Sequence, residues 1–377
     1  MHKNTRIIKG TDVDEATGCI SVPIYRGVTY RHKSLEHKPE NFAYARCDTP
    51  TLRALGRYMS SLDSGARAFA TSSGMGAISV VLKLFGPGDH IIVTSDLYGG
   101  TYRYFEDYYR KYGFDFEYID TSDIELVKRT VRDNTKAIFI ETPSNPVMHV
   151  TDIKAMAEIA HEAGALLIVD NTFLTPYFQR PLELGADITV YSATKYLGGH
   201  NDILAGIIVA STAELGDRIY TIYMAEGNTL SSEEAWLLIR SLKTLSVRLD
   251  RQEKNALELA QFLKTLPEVE KVFYVGDPEH PDHELSKRQT DGFGAMISFY
   301  IKHSENVERY LTSLKVITFA ESLGGVESLI TYPFLTTQRP IPEEMKNAVG
   351  DTDRLIRLSV GIEDIEDLKE DLRQAFR

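Results

Sequence analysis

The chain reads as an α/β protein, a mostly parallel sheet flanked by helices, with a smaller C-terminal α+β domain. Two observations predict this. Between residues 90 and 210, short continuous runs rich in Val, Ile, Phe and Tyr alternate with stretches of helical period. Continuous apolarity marks strands buried on both faces, the condition of a parallel sheet between helices. After Pro267 the texture changes to strands and helices without that alternation.

The elements follow in order. Residues to about Ser60 hold Pro23, several tyrosines and a basic cluster, lack a sustained period, and read as an extended arm. TSSGMGAISVVLKLF, from Thr71, opens a helix after small residues. Pro87-Gly88-Asp89 is a turn ahead of the strand HIIVT from His90. Helical period over Thr101–Tyr112 is followed by strands FEYI from Phe116 and KAIFIE from Lys136. A helix over Asp152–Ala163 precedes strands ALLIVD from Ala165, DITVYS from Asp187 and GIIVA from Gly206. Ser231 to about Leu266 reads as one long helical stretch with room for a kink. VEKVFYV, GAMISFYI and LIRLSVG read as strands, and Asn306–Leu314 and Asp364–Phe376 as helices. The expected division is an arm over 1–60, a large domain over 61–245 and a C-terminal domain over 246–377. The length of 377 residues agrees with two or three domains.

Composition narrows the function. The formal charge of −12 argues against nucleic acid or an anionic membrane as partner, since phosphate-rich surfaces need excess Lys and Arg. The longest apolar stretch, around Ile203–Ala210, is far shorter than the ~20 residues needed to span a bilayer. The start, MHKNTRIIKG, has no apolar leader segment. Cys19 and Cys47 are too few to staple such a chain, so a reduced, cytoplasmic setting is expected.

Ligands of open parallel sheets bind at the C-terminal ends of the strands. Asp170 follows one apolar strand, and Ser192, Thr194 and Lys195 follow another in DITVYSATKYLGGH. A lysine amine can form a Schiff base with an aldehyde, and a carboxylate can keep a pyridine nitrogen protonated. Ser and Thr beside the lysine can bind a phosphate. Gly74 opens a helix whose first N–H groups are available to an anion. Each signal is ambiguous alone: a lysine after a strand is commonly a surface lysine, and Asp170 could be a helix cap. Their order along the chain makes a site for a phosphorylated pyridine aldehyde. The competing S-x-x-K reading of Ser192–Lys195, an acyl-transfer serine, ranks far lower: the chain offers only Lys243-Thr244-Leu245 and no Ser-Asp-Asn. P-loop, HExxH, G-x-S-x-G and paired C-x-x-C patterns are absent, and no metal site is expected.

These residues, with SSGMGA, LYGGTYRYF, ETPSNP, VDNTF, ESLGGVESLITYP and RLSVGIED in order, resemble the pyridoxal-phosphate enzymes of cysteine and methionine metabolism, the cystathionine γ-synthase/cystathionine lyase family. The resemblance runs nearly end to end, from TGCISVPIY to the C-terminal helix. It implies fold type I, with a sheet of the seven-stranded type, and pyridoxal 5′-phosphate as cofactor. It implies Lys195 as the Schiff-base lysine, Asp170 as partner of the pyridine nitrogen, and Gly74, Met75, Ser192 and Thr194 as phosphate donors. Tyr98 would stack on the ring and move a proton at the leaving group, and Asn145 would lie near the cofactor hydroxyl. Arg357 would grip the substrate α-carboxylate beside Ser322, as its planar fork suits. Arg103 and Glu321 match further substrate positions. Tyr44 and Arg46 match residues that reach the phosphate in a neighbouring subunit, which implies a dimer at least and a homotetramer of two such dimers as the usual assembly.

The chain departs from the family pattern at Ala45, Thr49 and Asn201. Ala43 stands where γ-lyases carry Glu, and Gly100 where methionine γ-lyases carry Cys. The expected activity is carbon–sulfur cleavage of cystathionine, by γ- or mixed β/γ-elimination. The alternative is γ-replacement on an O-acylhomoserine with cysteine. A non-catalytic binding protein of the same fold is a remote third reading, disfavoured because Lys195 and Asp170 are both kept.

Overall fold

The computed structural model describes residues 1–32, 34, 35 and 42–376. Part of the arm's basic cluster therefore lies outside the described residues. The large sheet holds β1 (Arg67–Thr71), β2 (His90–Thr94), β3 (Asp115–Ile119), β4 (Thr135–Glu141), β5 (Leu166–Asp170), β6 (Ile188–Ser192) and β7 (Gly206–Ala210). Their spatial order is β1-β7-β6-β5-β4-β2-β3, and only β7 runs antiparallel to its neighbours. The second sheet, β10-β11-β12-β9-β8, is mostly antiparallel: β8 (Val269–Phe273), β9 (Met296–Ile301), β10 (Thr318–Phe319), β11 (Leu329–Thr331) and β12 (Leu355–Ser359).

The apolar runs are continuous because each face of the large sheet has its own core. In β4, Ala137 and Phe139 pack with the helix Gly74–Leu82, whereas Ile138 and Ile140 pack with the helix Ile153–Glu162. Side chains alternate across the sheet, so a strand covered on both sides must be apolar throughout. A third core joins the helix Leu245–Leu263 to the second sheet and the C-terminal helix Ile365–Ala375. Among the described residues, no helix is long and apolar enough to cross a membrane.

Several elements differ from the sequence reading. The end of the arm is the helix Pro50–Asp63. Thr49 caps it, accepting the Leu52 N–H at 3.1 Å, and Pro50 fits its first turn. Leu52, Leu55, Tyr58, Met59 and Leu62 form its buried face. Thr49 thus serves as a cap despite departing from the family residue. A short helix, Lys3–Ile8, begins the chain. Strand β1 and the short β10 and β11 were not anticipated; RAFAT carries little β-branched signal, and its place comes from pairing with β7. The helix over Thr101–Tyr112 begins at Gly99 and passes through a π turn, Phe105–Tyr109.

The long stretch from Ser231 breaks at Lys243-Thr244 into helices Ser232–Leu242 and Leu245–Leu263. Arg248 fills the corner. It is buried, and its guanidinium donates to the carbonyls of Tyr196 at 2.8 Å, Ser241 at 3.1 Å and Leu197 at 3.4 Å. Burial alone lowers its pKa to about 10. Two of these carbonyls follow Lys195 directly, so the corner fixes the lysine loop to the helical layer. Arg248→Ala takes the guanidinium donor from the Tyr196 and Leu197 carbonyls, while the Ser241 carbonyl keeps the Thr244 N–H, and should cost about 2 kcal/mol of unfolding free energy in denaturant titration. A loss below about 1 kcal/mol would refute this anchoring role.

Candidate active site

A cavity of about 310 Å3 opens at the C-terminal ends of β4, β5 and β6. It gathers Gly74, Met75, Tyr98, Asn145, Asp170, Ser192, Thr194 and Lys195 from the large sheet and its loops, with Glu321, Ser322 and Arg357 from the second sheet and its loops. These are eleven of the fourteen residues expected from sequence.

On one side, Asp170 ends β5. Its Oδ1 accepts the Thr172 hydroxyl at 2.6 Å and the Thr172 N–H at 3.1 Å. The Thr172 hydroxyl oxygen in turn accepts the Ser192 N–H at 2.8 Å, tying the ends of β5 and β6 together. Burial raises Asp170 to about 6, against the opposing Thr172 hydrogen bonds. Beside it, Ser73 caps the helix Gly74–Leu82 by accepting the Gly76 N–H at 3.0 Å. A Cβ on Gly74 would stand 2.7 Å from the Ser192 Cβ, so only glycine lets the helix start approach β6 this closely. The first N–H groups of this helix have no intrahelical acceptor. The Ser192 side chain lies next to them. The Thr194 hydroxyl donates to the Ala205 carbonyl at 3.2 Å and accepts the Ala205 N–H at 3.0 Å, so it is already engaged by the chain.

On the other side, Lys195 Nζ donates to the Ser322 hydroxyl at 2.7 Å. The carbonyl of the same serine accepts from Arg357 Nη2 at 3.3 Å, and Arg357 Nη1 donates to Asn145 Oδ1 at 2.8 Å. Ser322 sits at φ 88°, a left-handed conformation costly for a residue with a side chain, and so holds both cationic side chains from one position. Arg357 is only 2% exposed, and its Nε is buried without a partner. Burial lowers Arg357 to about 10. Lys195 falls to about 8, through burial first and the Arg357 charge second, with Glu321 opposing.

Three expected residues lie elsewhere. Tyr44 and Arg46 are exposed beside the C-terminal end of the helix Ala213–Glu226, where Arg46 donates to the Met224 carbonyl. Arg103 is exposed on the helix Gly99–Tyr104 and does not line the cavity. Within one chain, none of the three completes this site. Ala43 lines a separate groove against β1. Asn201 adopts φ 54° and donates to Glu327 at 2.8 Å, a structural role. The sequence reading missed Glu141, Thr172 and Ser73, which all line the cavity. Their signals were present: Glu141 ends KAIFIE, and Thr172 stands in VDNTF.

The donor set fits pyridoxal phosphate. The glycine-cleared helix start and Ser192 form an anion cradle. Asp170 offers a carboxylate whose hydrogen bonds, among the described residues, fall on Oδ1, and Lys195 offers an amine partly neutral near physiological pH. The unpartnered Arg357 Nε suits a carboxylate. In cofactor-free protein, acylation of Lys195 by an amine-reactive reagent should rise with a midpoint near pH 8. Glu321→Gln should lower that midpoint and Arg357→Leu should raise it, because each removes a charge of opposite sign. A midpoint near 10.5, unmoved by either change, would refute the burial argument.

Comparison with known proteins agrees with this chemistry. The family described as Cys/Met metabolism PLP-dependent enzyme matches residues 4–377. A cystathionine gamma-lyase of Bacillus subtilis (strain 168) is 48% identical over 100% of this chain and 99% of its own. A cystathionine gamma-synthase/O-acetylhomoserine (thiol)-lyase of the same organism is 48% identical over 100% of this chain and 96% of its own. The crystal structure of cystathionine gamma-lyase from Lactobacillus plantarum complexed with L-serine superimposes with a TM-score of 0.97 at 43% identity, covering 100% of this chain and 98% of that one. A cavity built around a half-buried lysine and aspartate, and a family match spanning almost every residue, have one reading: this chain belongs to the pyridoxal-phosphate-dependent enzymes of cysteine and methionine metabolism.

Proposed function

We propose that the enzyme is a carbon–sulfur lyase that cleaves cystathionine by γ- or mixed β/γ-elimination. The observation that carries this reading is the Lys195–Ser322–Arg357 chain facing Asp170 across one cavity. It puts a proton-moving amine next to a carboxylate-gripping guanidinium. The similarity to the Bacillus γ-lyase supports the choice of substrate.

Bound there, pyridoxal phosphate supplies an aldehyde for the substrate amine and an electron sink for charge developing at Cα. The chain's residues do the rest. The Gly74 and Met75 N–H groups and the Ser192 and Thr194 hydroxyls would hold the phosphate. Asp170 holds a proton on the pyridine nitrogen. Arg357, oriented by Asn145 and the Ser322 carbonyl, grips the α-carboxylate and directs Cα towards Lys195. Lys195, poised near pH 8, moves the proton at Cα and, for γ-elimination, a second proton at Cβ. Tyr98, 41% exposed at the cavity wall, supplies a proton to the departing sulfur. Glu321 at the rim meets the distal ammonium group of cystathionine.

A second reading, γ-replacement on an O-acylhomoserine with cysteine, is favoured by Ala43, which offers no carboxylate to the distal amino group, and by the γ-synthase relative. Product analysis separates the outcomes. With cystathionine, 2-oxobutyrate and cysteine signify γ-elimination, and pyruvate and homocysteine signify β-elimination. No 2-oxo acid from cystathionine, together with cystathionine formed from O-acylhomoserine and cysteine, would replace the first reading with the second. Lys195→Ala should abolish either activity.

The assembly belongs to the same proposal: a cytoplasmic homotetramer of two dimers with shared sites, each chain divided into 1–60, 61–245 and 246–377. Arg46 and Tyr44 lie outside their own cavity, and the arm exposes Ile20 (76%) and Val28 (52%), an apolar surface suited to another copy. Arg46→Ala should weaken cofactor retention in equilibrium dialysis by roughly tenfold, the equivalent of about 1.4 kcal/mol for one charged phosphate contact. A monomer that retains cofactor as tightly as the oligomer would refute the shared site.

A further inference from the structure

Glu141 ends β4 as Asp170 ends β5, and the two are direct register partners on parallel neighbours. Partners in that arrangement project to the same face, and both line the cavity. Glu141 is 6% exposed. Its Oε2 accepts the Tyr98 N–H at 3.0 Å. Tyr98 precedes the helix Gly99–Tyr104 and provides no side-chain cap of its own, so this carboxyl fixes the turn on which the Tyr98 ring stands. The turn is also closed from outside: a Cβ on Gly99 would stand 2.3 Å from the Thr337 carbonyl oxygen.

The charged groups around Glu141 are Asp170 on β5, Asp96 in the loop after β2, and Arg357 on β12. Burial and the two carboxylates push Glu141 well above the ordinary range, against the Tyr98 N–H and the Arg357 charge. Two adjacent carboxyls, one buried and one half-buried, do not both ionise readily. Asp170 accepts two hydrogen bonds on one oxygen and Glu141 accepts one, so the geometry favours the charge on Asp170.

We propose that Glu141 is a positioning residue kept as the neutral acid: it holds the Tyr98 main chain in place and leaves Asp170 as the negative charge facing the cofactor. This rests on the roles given to Tyr98 and Asp170 above. Glu141→Gln keeps the size and the acceptor oxygen but removes the acidic proton. Infrared difference spectra of wild type against E141Q, taken at neutral pH on cofactor-free protein and on holoenzyme, should lose the carbonyl stretch of one protonated carboxylic acid. Loss of an ionised carboxylate band instead would overturn the proposal. E141Q should keep cofactor affinity and the pH profile of kcat/KM within about threefold, whereas Glu141→Ala should lower kcat by about tenfold, one hydrogen bond's worth. An E141Q enzyme with a displaced pH profile, or an E141A enzyme with unchanged kcat, would also overturn it. The infrared readout needs no substrate. Failure of the lyase assignment therefore shows in product analysis alone, and failure of the Glu141 assignment shows in the spectra.

Discussion

Parallel pairing of β4, β5 and β6 is the constraint on which the site depends. Parallel neighbours must end at the same edge of a sheet, so Glu141, Asp170 and Ser192 arrive together whatever lies between them in sequence. The helix Gly74–Leu82 on one face and the crossover helix Ile153–Glu162 on the other cover these strands and dry the edge from below. A carboxylate at such an edge loses solvent, and Asp170 rises to about 6 for that reason. The same desolvation lowers Lys195 and Arg357. Perturbed groups of both signs thus follow from one architectural fact.

The second sheet supplies what the first cannot. Arg357 sits in the middle of β12, flanked by β9 and β11, and its guanidinium reaches Asn145 of the large sheet's loops. Ser322 links this arginine to Lys195 through its carbonyl and hydroxyl. The cavity therefore lies where two independently paired sheets meet, a common location for ligand sites. Arg248 secures the lysine loop from behind with uncharged acceptors only, spending a buried cation on three main-chain carbonyls.

Much of the cofactor site was legible because its residues are local to motifs. Ser192 ends β6 with Thr194 and Lys195 directly after it, and Gly74 and Met75 share one helix start. Local spacing survives in the chain as written. Glu141 was passed over because a carboxylate at the end of an apolar strand looks like any strand terminus, and its significance comes from standing opposite Asp170. The helix Pro50–Asp63 was missed for a different reason: the stretch to about Ser60 shows no sustained period, and the helix start is evident only once Thr49 is seen as its cap and Pro50 as a first-turn residue.

By itself the sequence determined the fold class, the central strands of the large sheet, the cofactor and eleven of the residues that line the cavity, because each of these is encoded in short-range pattern or in motifs. The tertiary structure decided which residues share a cavity. It placed Arg357 and Ser322 beside Lys195 across more than a hundred residues of chain, left Tyr44, Arg46 and Arg103 outside, and brought a second carboxyl against Asp170. Strand order in space, burial and charge proximity depend on how distant segments pack, and no pattern within one segment contains them.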